Sequence, residues 1–71
     1  MRLVAERDTQ LAIVHDDGET GFVYNMGEDQ RFPDQNIHSI LARGYWEEPA
    51  IDLSSAELER IAGLPLAGGG R

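Results

Sequence analysis

The sequence predicts one small α+β domain: a three-stranded antiparallel β-meander followed by two short helices (βββαα) packed on one face of the sheet. Three observations predict it. Residues 2–26 contain three short runs, RLVAER, QLAIVH and GFVYNM, rich in branched and aromatic residues and separated by polar turn residues. Residues 35–43 and 55–62 instead repeat their apolar positions at helical spacing, each behind a capping residue. Finally, 71 residues leave room for a single domain. The folded domain is expected to cover residues 1–66, and the Gly-rich residues 67–71 are expected to be a disordered tail.

The strands are expected at roughly residues 2–7, 10–15 and 21–26, with Asp8-Thr9 between the first two. HDDGETGFVY then turns the chain back. Asp17-Gly18 is a strong two-residue hairpin signal, because a type I′ turn needs positive φ at both central positions. That register sets His15 opposite Thr20, Ile13 opposite Phe22 and Leu11 opposite Tyr24, gathering four large apolar side chains on one face. A three-residue loop closed by Gly18 would instead set His15 opposite Glu19 and Ala12 opposite Phe22, a better charge match and a poorer core. Packing favours the first.

After Met26, GEDQRFPDQ is polar and reads as a loop. Asp34 or Asn36 can cap a helix over 35–43, with Ile37, Ile40 and Leu41 as its stripe, Arg43 in its last turn and Gly44 at C′. YWEEPAIDL follows, where Pro49 argues against a regular central strand. The second helix is the best specified. Ser54 and Glu57 form a capping box, Leu53 and Leu58 a hydrophobic staple, and Leu58, Ile61 and Ala62 the buried stripe. Gly63 and Pro65 end it.

Thirteen acids against six arginines, with no lysine, give a formal charge of −7. Such a chain is poorly suited to gripping phosphate backbones or anionic membranes, so neither nucleic acid nor membrane is expected as a direct partner. A basic protein surface suits it better. Arginine without lysine is what GC-rich bacterial codon usage produces. No run is apolar enough to span a bilayer, and Glu6, Arg7 and Asp8 break the pattern of a signal peptide. With no cysteine either, the cytoplasm is the expected compartment. The core is small and has no disulfide or zinc to staple it, which makes a homodimer a reasonable way to bury more surface.

No catalytic, cofactor-binding or metal-binding residue is expected. The acids Asp16, Asp17, Glu19, Glu28 and Asp29 lack the spacing of a calcium loop. His15 and His38 are the only imidazoles, and nothing in the sequence brings them together. Ser39 and His38 are adjacent on a helix and so point apart, and Ser54 is committed to its cap. The two helices lie too far apart in sequence for a helix-turn-helix. Protein contact remains, and Tyr45, Trp46, Glu47 and Glu48 are the candidate residues. Tyr and Trp are enriched at interface hot spots, although Trp46 better suits a plug between helix and sheet. The expected function is a small acidic module acting through protein–protein contact, in an accessory or regulatory role. The alternative is an inhibitor that mimics nucleic-acid charge and occupies the groove of a basic DNA- or RNA-binding protein.

Overall fold

A computed structural model describes residues 1–67. The strands β1 (Arg2–Arg7), β2 (Gln10–Val14) and β3 (Thr20–Asn25) form the expected antiparallel meander. Leu11 pairs with Tyr24 and Ile13 with Phe22, and the His15 amide donates to the Thr20 carbonyl at 2.8 Å, which is the register packing favours. The turn itself is not type I′, since Gly18 has φ +74° and Asp17 has no positive φ. Four residues, Asp16 to Glu19, make the loop, and the Gly18 amide donates to the His15 carbonyl at 3.0 Å. Asp17 explains the change. Its carboxylate accepts from the amides of Glu19 (2.8 Å) and Thr20 (2.9 Å) and from the Thr20 hydroxyl (2.6 Å), closing the loop from within.

Among the described residues the sheet has five strands rather than three. Within the stretch expected as a loop, β4 (Gln30–Arg31) and β5 (Gln35–Asn36) both pair antiparallel with β3. Tyr24 faces Arg31 and Gly21 faces Gln35, so the edge carries one more residue than β3 does between these pairs. This is a bulged edge strand, interrupted at Phe32-Pro33-Asp34, where proline has no amide to donate. Its polar composition hid it, yet polar residues and proline are what an exposed edge favours. Asp29, at φ 52°, turns the chain into β4 and is held by Tyr24 and Arg60.

The first helix, α1 (Ile37–Leu41), is shorter than the expected 35–43, because Gln35 and Asn36 are still extended in β5. Asn36 is its N-cap, accepting from the amides of His38 (2.8 Å) and Ser39 (3.3 Å). The second, α2 (Ser55–Ala62), has the expected boundaries and capping box: the Ser54 amide donates to Glu57 at 2.8 Å, and the Glu57 amide donates to Ser54 Oγ at 3.1 Å.

The two helices do not share a face. Leu11, Ile13, Phe22 and Tyr24 pack with Leu58 and Ile61 of α2, and partly buried Leu53 joins them. Ala12, Val14 and Val23 point the other way and pack with Ile37 and Ile40 of α1, flanked by Phe32 and Trp46. Residues 11–14 and 22–24 are therefore buried on both sides of the sheet. A register shift between Leu3 and Ala5 fits β1 to this arrangement, sending Leu3 to the α2 side and both Val4 and Ala5 to the α1 side. Each outer edge receives one further bridge, Glu47 against Glu6 of β1 and Leu66 against Arg31 of β4. The Ala67 amide donates to the Arg31 carbonyl at 2.7 Å, and the rest of the expected tail lies outside the described residues. Among the described residues no helix is long and apolar enough to cross a membrane.

Candidate functional site

Tyr45 is the most exposed large apolar side chain among the described residues, at 94 %. The backbone beneath it is fixed on both sides. Before it, Gly44 ends the α1 region at φ +82°, where a Cβ would fall on Arg7 Nη1. After it, the half-buried Trp46 donates its indole N–H to the Ile40 carbonyl at 2.9 Å, while the Arg7 guanidinium lies 4.1 Å over its ring. Arg7 is held in turn by Gln10 Oε1, 2.9 Å from Nε, and by the Arg43 carbonyl. Glu47 then exchanges two backbone hydrogen bonds with Glu6, at 2.8 and 2.9 Å, and the Glu6 carboxylate accepts from the Ala50 amide at 2.7 Å. The side chains of Glu47 and Glu48 remain exposed.

A cleft of about 710 Å³ opens between this segment and the β1–β2 hairpin. Tyr45 and Glu47 form one wall, and residues 6–10 form the other, with Glu6 and Asp8 adding acid to it. Of the four sequence candidates, Tyr45 and Glu47 line the cleft, Trp46 anchors its wall and Glu48 follows on the exposed side. Sequence reasoning missed the opposite wall, Glu6 to Gln10, because the pairing of Glu6 with Glu47 spans forty residues and leaves no local pattern. Gly44 carried the one legible signal, as a helix-ending glycine, and its contact with Arg7 adds a second reason for it.

The acid-rich hairpin tip is built differently. The Thr20 hydroxyl and amide, then the Glu19 amide, hold the Asp17 carboxyl down at about 2. Asp16 meets the N-terminal amine, which lowers its pKa. On the α2 side, Asp29 is lowered chiefly by Arg60 and then by Tyr24, and it raises the Tyr24 phenol in return. His15 Nε2 is shielded and lies 3.2 Å from Asp34 Oδ2 without an aligned hydrogen bond. Asp34 Oδ1 accepts from Arg31 at 2.5 Å, and Arg31 also donates to the Ala62 carbonyl at 3.0 Å and covers the Phe22 ring. These contacts join the β2–β3 hairpin, the bulged edge and the end of α2. His15 packs against Phe22 on the α2 side, whereas His38 is exposed on α1, so the imidazoles stay apart. Among the described residues no three His, Asp or Glu side chains converge as metal ligands.

Compared with models of protein families, with curated proteins and with solved structures, the chain matches none.

Proposed function

We propose that the chain is a small accessory or regulatory module that docks a basic protein surface through Tyr45, with Glu47 and Glu48 beside it. The observation that carries this reading is an aromatic ring left almost wholly in water on a backbone fixed at Gly44, Trp46 and Glu47. Burying such a ring recovers apolar area without ordering the segment that bears it, so little conformational entropy opposes binding. Acid from Glu6, Asp8, Glu47 and Glu48 around the ring favours a partner rich in arginine or lysine. What supports this reading over nucleic-acid mimicry is the use of five of the other acids. Asp16, Asp17, Asp29, Asp34 and Glu57 are all engaged in holding turns, strands and helices together, not displayed as a row of free carboxylates.

The test is affinity capture of the full chain from its native cells, at low and high salt, beside Tyr45→Ala and a remote charge control, Glu28→Gln. A protein that wild type and Glu28→Gln retain at low salt, and that Tyr45→Ala loses, is the expected result. Identical captures by wild type and Tyr45→Ala overturn the proposal.

A further inference from the structure

We infer that a second, smaller cleft on the α1 side of the sheet binds a carboxylate group carried on a short apolar body. The cleft measures about 240 Å³ and places Arg7, Gln10, Gln35 and Arg43 around the apolar Phe32 and Pro33. In a chain with a charge of −7, no aspartate or glutamate lines it. Among the described residues the Arg43 guanidinium meets no carboxylate, and Arg7 has none either, its only acceptors being the Gln10 side chain and the Arg43 carbonyl. Those contacts occupy Arg7 Nε and Nη1, leaving Nη2 free to donate. Because Gln10 accepts through its oxygen, its amide NH₂ is likewise available. The cleft is thus rich in donors and contains two permanent positive charges, of which Arg7 is held in place, an arrangement that suits a planar carboxylate.

Arg7 is also pre-positioned. Its aliphatic stem leads from the end of β1, its guanidinium stacks on Trp46, and it passes Gly44, where any side chain would collide with it. The volume suits a small organic acid or the last residue of a peptide rather than a larger ligand. Both sources present the same group, and the experiment separates them.

The full chain, labelled for NMR, is titrated at constant ionic strength with hexanoate, with hexanol, with inorganic phosphate, and with a short Leu-terminated peptide bearing a free or an amidated C-terminus. The signals followed are the Nε–H groups of Arg7 and Arg43 and the Trp46 indole N–H. Hexanoate or the free-acid peptide is expected to give saturable shifts with a dissociation constant of about 1 mM. Hexanol and the amidated peptide give none. Tighter binding of the peptide assigns a chain terminus, and tighter binding of hexanoate assigns a free acid. Arg43→Gln, at an exposed position, weakens binding on the order of ten-fold, and Gln35→Glu, which puts a carboxylate into the cleft, abolishes it. Three results would overturn the inference: no saturable shift with either carboxylate, an equal response to phosphate, or unchanged binding in both variants while their melting curves show them folded.

Discussion

Gly21→Ala tests the closest approach in the fold. Gly21 lies in β3, paired on one side with Val14 and on the other with Gln35. A Cβ built there would press into the Ile13 carbonyl oxygen, stand 2.8 Å from Ile37 Cδ1 and reach 3.2 Å from Val14 Cα. Ile37 Cδ1 can swing aside, but the other two atoms belong to the backbone of β2 and are tied into the sheet. Relief therefore requires the strands to part or α1 to lift. Overpacking of this kind costs about 1–3 kcal/mol, and the loss of unfolded-chain freedom from Gly to Ala returns only about 0.4–1 kcal/mol. A domain of this length is expected to have roughly 4–11 kcal/mol in hand, so a net loss of about 1–2 kcal/mol lowers the melting temperature by about 5–15 °C. Urea and thermal unfolding read this directly. Gly63→Ala is the control, since its nearest neighbours would be carbonyl oxygens at 3.7 Å and its φ is −92°. A Gly21→Ala variant melting within about 2 °C of wild type would refute the close approach of the β2 backbone to Gly21.

Three further outcomes are expected. Asp17 has a folded pKa of about 2 against an ordinary 3.8, so the stability it contributes is present above pH 4 and lost as pH falls toward 2; in Asp17→Asn the urea midpoint should fall less steeply across that window, and an unchanged slope would count against the loop geometry. Ser54→Ala removes the N-cap of α2 and should cost about 1 kcal/mol in urea unfolding. Trp46→Phe loses the bond to the Ile40 carbonyl and the better ring for Arg7, and should cost about 1–2 kcal/mol; no change in stability would mean that the Tyr45 segment is not anchored there.

The legible parts of the fold were those with local causes. Ser54, Glu57 and Leu53 lie within a few residues of one another, and they set the start of α2. The register of β2 on β3 was also readable, because only one pairing puts Leu11, Ile13, Phe22 and Tyr24 on a common side. The bulged edge strand was not, since β4 and β5 hold only two residues each and take their structure from β3 rather than from their own side chains. The turn type failed for a related reason. Asp-Gly favours I′ by backbone preference, yet the Asp17 side chain offered three hydrogen bonds to a different loop. At the candidate site, Tyr45 and Trp46 stood out as residue types. The wall facing them could not, since Arg7 and Glu6 reach it only through long-range pairing.

The placement of the helices shows what the hydrophobic pattern does and does not specify. Counting only alternate residues makes β2 and β3 look one-sided, with Leu11, Ile13, Phe22 and Tyr24 facing inward. But the residues between them, Ala12, Val14 and Val23, are apolar as well, so the runs are continuous rather than alternating. A continuous run means a strand covered on both faces, and two separate helices supply the two covers. This also bears on how so short a chain forms a core without a disulfide. A sheet used as the middle layer buries both of its faces, and α1 and α2 each need only one apolar stripe. The same layering accounts for Tyr45. Trp46 is drawn in to complete the α1 side, Glu47 is fixed to the edge of β1, and Tyr45, just before them, is left in water. Its exposure follows from the packing around it, which makes the ring a stable feature of the surface that a partner can meet.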